Sequence, residues 1–442
     1  MLAEVEAESI EYLFSDIPES HLIEPKNFEG LEELNAVNLL KNILGVNVSI
    51  LKYRSFLGSG VWCHYVPAVV DEIAGREEFY TSYTPYQPEI SQGALQALFE
   101  YQSLICELTG MDVANCSMYD WATALAEAAL MSVRVTGKKK IVIPRAMHPN
   151  RLLVLRSYLR PLDAKIRVFG YSEDDGQINI SELEEIAHDA AMVYVEQPSF
   201  FGVIETMLES ASDIAHKAGA LYVVGVNPIS LAVIKPPGEY GADIVVGEGQ
   251  PLGSYPNYGG PLIGIFACKG DKKLIWQMPG RIIGATYEVD GEIRGYVMTL
   301  QTREQHIRKE RATSNICTNT ALNAIRAAIY IALLGSEGLL QVALKCMENR
   351  RYLMKRISEI EHYEIPFHQS PHFNEFVVRC KSLEISEVNK RLLKYGIIGG
   401  LDISNYFREL GNCMIVATTE IHTRDDLDHF VEALDKVVKN ED

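Results

Sequence analysis

With 442 residues, of which 47% are apolar and 23% charged, the sequence is too long for one minimal core and too apolar for a disordered chain, so a large domain with at least one smaller companion is expected. A formal charge of −18 argues against nucleic acid and anionic membrane as partners, because phosphate binding needs a net basic face. The eight cysteines are scattered and form no CxxC pair, and the start MLAEVEAESIEYLF is acidic where an export signal is basic; together they read as reduced thiols in a cytoplasmic protein with no metal site.

Taken in order, residues 1–50 place Ile10, Leu13 and Phe14, then Leu31, Leu34, Val37, Leu39 and Leu40, at helical spacing around Pro18 and Pro25, which predicts a short N-terminal helical arm. The stretches Phe56–Trp62 and Tyr80–Glu89 are rich in Gly, Pro and Tyr. Such loops hold hydroxyls on a stiff frame and suit a binding surface, the plainer reading being an ordinary packed loop. From Ser91 a helix runs to a stop at Gly110, with Leu95, Leu98, Phe99, Gln102, Ile105 and Leu108 on one face. Val113–Ser117 reads as a strand leading to a helix that starts near Trp121. Strand, loop and helix start make a phosphate-binding geometry, but Asp120 places a negative charge there and Trp121 bulk where backbone must approach. Strands at Lys138–Pro144, Ile166–Phe169 and Met192–Gln197, with helices near Ile180–Ala191 and Met207–Ala218, predict a doubly wound, mostly parallel sheet. His148, after the first of these, either stacks on a cofactor ring or caps a strand end.

The stretch Leu221–Pro261 holds two short apolar runs, Tyr222–Val226 and Asp243–Val246, with the pattern of strands covered on both faces. Ligands in such sheets sit beyond the carboxyl ends of the strands, here at Asn227 and at Gly247-Glu248-Gly249-Gln250. The layout resembles the cofactor core of pyridoxal-phosphate enzymes of the aminotransferase-like class, in which an Asp holds the pyridine nitrogen and a Lys forms the Schiff base. Asn227 and Gln250 stand at those positions, and an amide has no amine with which to form an imine. The other amines considered are Lys235 and Lys269, the latter in an exposed turn after a strand at Leu262–Cys268. No apolar run reaches 18 residues, and the nearest, Ala218–Ile234, is broken by Asn227 and Pro228, so no membrane span is expected. Beyond Trp276 come a hairpin at Asp290-Gly291 and the charged run Arg303–Arg311, which reads as a solvated face or as an anion-binding patch. Helices follow at Ala321–Leu334 and Leu339–Ile360. Strands at Glu375–Cys380 and Met414–Ala417, with helices near Ile385–Leu393 and Asp425–Val438, make a smaller α+β domain.

Four stretches carry a closer resemblance: YTPYQPEISQGALQALFEYQ (83–102), NCSMYDWATALAEAAL (115–130), GEGQPLG to YGGP (247–261), and MPGRIIGATYEVDG to ATSNICTNTALNA (278–324). They are similar to the P-protein of the glycine cleavage system, glycine dehydrogenase (decarboxylating), and to its subunit 1 type, found where that enzyme is split into two chains. The resemblance covers roughly residues 50–440. It implies an aminotransferase-like fold (pyridoxal-phosphate fold type I) with an N-terminal arm (1–60), a large α/β domain (61–325) and a small C-terminal α+β domain (326–442). It further implies an α2β2 assembly with subunit 2, which holds the pyridoxal phosphate, and the lipoyl group of H-protein as acceptor of an aminomethyl group. Subunit 1 lacks the Schiff-base Lys, so Gln250, Asn227, His148 and Trp121 become vestigial cofactor positions, and Trp121 replaces the Gly of the family's usual Asp-Gly-Ala-Thr. Tyr83, Thr84, Tyr86 and Gln87, with Thr313, Ser314 and Asn315, are the residues that the resemblance implies contribute to the partner's site. A scaffold that kept the fold and lost the chemistry is the alternative expectation.

Overall fold

The computed structural model describes residues 1–23, 29–50, 52–82, 85–289, 291–314, 316 and 319–439. It divides into two units, Met1–Lys52 and Tyr53–Asp442. The first contains 3-10 turns at Leu2–Val5, Glu11–Phe14 and Glu19–His21, then helix α1, Glu33–Leu44. The apolar spacing around Ile10 to Phe14 yields a single 3-10 turn rather than an α-helix.

In the second unit, strands β1 (Val113–Ala114), β2 (Lys140–Pro144), β3 (Lys165–Phe169), β4 (Ala190–Gln197), β5 (Leu221–Val226), β6 (Ile244–Glu248) and β7 (Gly264–Cys268) form one sheet in the order β1-β7-β6-β5-β4-β2-β3. Strands β2 to β6 are parallel; β7 and β1 close one edge antiparallel. Every residue of β4 and β6 is buried, which is why both read as unbroken apolar runs. Helices α2 (Gln92–Thr109), α3 (Trp121–Thr136), α4 (Pro149–Leu159), α5 (Ile180–Ala187) and α6 (Leu208–Lys217) divide between the two faces. Alternation along the strands makes the division: Val142, Val193 and Val224 join a core with α2, α5 and α6, while Ile141, Met192 and Val223 join a core with α3 and α4. Some predicted elements are shorter than expected. The strand at Val113–Ser117 ends at Ala114, the Cys116 N–H bonding Arg281 O. The helix toward Ala191 stops at Ala187, since β4 begins at Ala190.

Strands β8 (Ile282–Tyr287) and β9 (Arg294–Thr299) pair antiparallel, with Gly291 at φ +79° in the connection and Asp290 outside the described residues. Helix α7 (Ala321–Ser358) spans 38 residues and bends at Gly335, between the two predicted helices. By length and composition alone it is apolar enough to cross a membrane, although Asn323, Arg326 and Glu337 interrupt its apolar run. Its apolarity serves packing: Ala324, Ala327 and Tyr330 enter the sheet core, and Leu353 and Ile357 a second core. That second core lies under a sheet of β10 (Tyr363–Glu364), β11 (Glu375–Cys380), β12 (Leu401–Asp402) and β13 (Cys413–Ala417), ordered β10-β11-β13-β12 and antiparallel throughout. Helices α8 (Ile385–Leu392) and α9 (Arg424–Lys439) cover it through Val388, Leu392, Phe430 and Leu434. The seven described cysteines are free thiols.

Candidate functional site

The carboxyl ends of β4, β5 and β6 come together with the start of α3, the place where an α/β sheet binds its ligand. Side chains occupy it. Gln250 is fully buried and both ends of its amide are used: Nε2 donates to Trp62 O at 3.1 Å and to Ser254 O at 2.6 Å, and Oε1 accepts from Trp62 N at 3.0 Å. The amide thus pairs with a backbone segment as a neighbouring strand would and pins the loop Phe56–Trp62 over the sheet end. Beneath it, the Glu248 carboxylate accepts from the N–H groups of Gln250 and Ile263, each at 3.0 Å, and of Trp121 at 3.3 Å. Burial pushes its pKa up to about 8 against those donors.

Asp120 caps α3 by accepting from Thr123 N at 2.7 Å, in a reciprocal capping box. Its charge serves the helix start that an anion would otherwise occupy. The cap leaves Trp121 as the first helical residue, its indole turned into the core. The Trp121 Nε1–H donates to the Tyr194 hydroxyl at 3.0 Å, which donates to Glu196 at 2.9 Å. Arg151 closes the group: its guanidinium lies 3.5 Å from the Trp121 ring centroid and bonds Glu196 at 2.7 Å, both side chains buried. Burial pushes Glu196 up and Arg151 opposes it. Asn227 accepts from Ile229 N at 3.1 Å, turning the chain at its own strand end, and its Nδ2 has no partner among the described residues. The space left among Trp62, Trp121, Arg151, Glu196, Asn227 and Glu375 is about 10 Å³, room for one water at most. A pyridoxal ring with its phosphate needs an amine and far more volume, so the residues here do not fit that group. Lys235 is held by Glu209 at 2.9 Å and Lys269 by Asp243 at 2.9 Å, and neither lines this space.

His148 stands at the start of α4, four residues beyond β2. Its Nδ1 accepts from Asn150 N at 3.0 Å, capping α4 rather than a strand, and its ring meets Phe200 edge-on at 5.2 Å. Burial, with the Arg151 charge, pulls its pKa down to about 3. It does line a wider cleft of about 570 Å³ that shares Trp121 and Arg151 with the closed pocket.

Tyr86 of the TPYQPE motif belongs to a separate cluster. Tyr83, Thr84 and Asn315 lie outside the described residues. Tyr86 is partly exposed, and its hydroxyl accepts from Arg281 Nη2 at 2.7 Å while Arg281 lies 5.0 Å from its ring centroid. Arg281 in turn faces the buried Glu304 at 3.7 Å, and His306 meets the Tyr86 ring edge-on. Thr313 N donates to Arg303 O at 2.9 Å and the Ser314 hydroxyl accepts from Ile316 N at 3.2 Å, whereas Gln87 is exposed. The charged run therefore divides. Arg303 is buried and donates to Met278 O and to Gly280 O, and the rest from Gln305 to Arg311 is exposed. Sequence reading missed Arg151, Glu196, Arg281 and Glu304. Arg151 lies in α4 and Glu196 in β4, while Arg281 and Glu304 lie outside helix and strand, and each is singled out only by a partner 23 or more positions away.

The family model for the glycine cleavage system P-protein matches residues 1–434. A relative from Pyrococcus horikoshii, described as probable glycine dehydrogenase (decarboxylating) subunit 1, is 50% identical over 441 residues, covering 99% of this chain and 97% of its own. One from Desulfitobacterium hafniense with the same description is 44% identical at the same coverage. Among solved structures, a glycine decarboxylase (P-protein) of the glycine cleavage system in inhibitor-bound form superposes with a TM-score of 0.90 at 41% identity, over 99% of this chain and 97% of that one. A cysteine desulfurase from Thermococcus onnurineus, TM-score 0.64 and 18% identity over 90% of this chain and 98% of its own, shares the fold. The architecture is thus the aminotransferase-like fold type I.

Proposed function

The chain belongs to the glycine cleavage system P-protein family, and from that premise we propose that it is a subunit 1 that is inactive alone and completes the active site of a second, Lys-bearing chain. In this reading glycine is decarboxylated on pyridoxal phosphate held by subunit 2, the aminomethyl group passes to the lipoyl arm of H-protein, and the two chains assemble as α2β2 in the cytoplasm. Tyr83, Thr84, Tyr86 and Gln87, with Thr313, Ser314 and Asn315, are this chain's contribution to the partner's site, and Arg281 positions Tyr86 by its hydrogen bond. The observation that carries the proposal is Gln250. Where a Schiff-base amine is needed, an amide spends all its polar atoms on backbone.

The test is reconstitution. The isolated chain, incubated with pyridoxal phosphate and borohydride, should trap no imine and release no carbon dioxide from glycine; mixed with a relative carrying the Lys, it should generate activity that neither chain has alone. An imine or decarboxylation in the isolated chain overturns the reading. Assembly without activity favours the scaffold alternative.

A further inference from the structure

The loop that Gln250 pins runs on from Trp62 to His64, where three kinds of metal-ligating side chain meet. His64 Nδ1 lies 2.7 Å from Glu420 Oε2, and Cys346 Sγ lies 3.7 Å from the same oxygen. The ligand atoms of all three fall within 4.8 Å of one another. They come from separate segments: the loop after Phe56–Trp62, the second half of α7, and the loop after β13. His64 and Cys346 are buried, and the Glu420 side chain, 15% exposed, forms the solvent edge. The surround is ordered. Tyr65 N donates to the other Glu420 oxygen at 2.7 Å, fixing the carboxylate plane, and Asn349 ties Thr419 O and His422 O at 2.9 Å each, holding the loop that carries Glu420. His64 Nε2, buried, has no hydrogen-bond partner among the described residues.

Imidazole, thiolate and carboxylate together are the donor set of a borderline dication of zinc's class; magnesium and calcium prefer oxygen donors alone. Donors sharing a tetrahedral ion at ~2.0–2.3 Å stand about 3.3–3.8 Å apart. Cys346 and Glu420 already have that span, and His64 needs to draw back by less than about 1 Å. We propose that His64, Cys346 and Glu420 form a binding site for a zinc-class dication, with the fourth position open to water from the Glu420 edge. Binding at Sγ, Nδ1 and Oε2 releases the Cys346 thiol proton to solvent and moves the proton between His64 and Glu420 to the unpartnered His64 Nε2, with no change of oxidation state. The ion would fasten the His64 loop to α7 and to the end of β13. This departs from the sequence expectation of no metal site, and the reason is plain: the donors lie 356 and 74 positions apart, so no ligand spacing is visible along the chain.

Cobalt(II) is the probe. The full-length protein, reduced and stripped with chelator, should take up stoichiometric cobalt(II), show sulfur-to-cobalt charge transfer in the near ultraviolet with the strong visible bands of a four-coordinate ion, and lose both on adding zinc(II). C346S should abolish the charge-transfer band and H64N should weaken uptake at least tenfold, while C63S, next to the site but outside it, should leave the spectrum intact. Should C346S fail to fold, H64N and E420Q carry the comparison. No stoichiometric uptake by the wild-type protein, or a spectrum unchanged in C346S, H64N and E420Q, overturns the site and leaves His64 and Glu420 as a plain hydrogen-bonded pair.

Discussion

In the reading proposed above, Gln250 stands where a Schiff-base Lys would, and its amide serves structure instead. Its amide satisfies the N–H and C=O of Trp62 and the C=O of Ser254 in a dry site, and an unsatisfied buried backbone group costs ~1–3 kcal/mol. Gln250→Lys supplies an amine but leaves the Trp62 N–H unpaired and buries a charge, so it should lower stability by about 2–4 kcal/mol in urea unfolding and still trap no pyridoxal imine. A variant as stable as wild type that reduces to a stable adduct would show the pocket to be a ready cofactor site. Tyr86 is a different case, half exposed and holding Arg281 through its hydroxyl. In the reconstituted enzyme Tyr86→Phe should lower kcat/KM roughly 5- to 150-fold, the effect of ~1–3 kcal/mol in the barrier, with assembly preserved. Unchanged kcat/KM would remove Tyr86 from the partner's site.

At the scale of elements, α7 reaches two of the cores of the second unit, and it bends between them. Gly335 sits at φ 60°, ψ −172°, a backbone region open essentially to glycine alone. A Cβ there would meet no atom within 4 Å, so the cost of a side chain comes from the backbone and not from collision. Gly335→Ala should therefore destabilise by roughly 1–3 kcal/mol, read as a shift in the urea midpoint without a change of slope. A neutral result would mean that the bend is set by packing on either side. The start of α3 shows the converse. Its capping box is local and readable as Asp120-x-x-Thr123, but the contacts of the Trp121 that it places are not.

For the whole molecule, several carboxyl groups are buried deeply enough to prefer the protonated form. Burial pushes Glu205 up to about 8; Ile178 N–H donates to one oxygen at 2.9 Å and the other has no partner among the described residues. A folded-state pKa raised above the unfolded value means that the folded chain holds the extra proton, so this contribution is full below the ordinary carboxyl range and is lost as pH rises through about 8. Glu205→Gln does not titrate. The unfolding free energy of the variant relative to wild type should rise with pH between the carboxyl range and about 8, measured by urea unfolding across a pH series. A pH-independent difference would show that Glu205 is ionised in the folded state. We propose a functional division into an arm (1–60), a large part (61–325) and a small part (326–442), with α7 carrying the chain from the second to the third.

The sequence by itself determined the strands and helices that are written in a local period, continuous apolar runs for β4, β5 and β6 and 3–4 spacing for α2, α7 and α9, whereas α4 and the two-residue strands β10 and β12 were not read from it. The break at Gly335 was legible for the same reason, as was the absence of an amine at Gln250, since residue identity alone settles that chemistry. Only the tertiary structure decided which side chains meet beyond the strand ends. Trp121 from α3, Arg151 from α4, and Tyr194 and Glu196 from β4 form one closed group, and His64, Cys346 and Glu420 converge from segments as far as 356 positions apart. Periodicity reports which face of an element is buried. It carries no information on which distant side chain that face will meet, because the meeting is made by the strand order β1-β7-β6-β5-β4-β2-β3 and by the bend of α7.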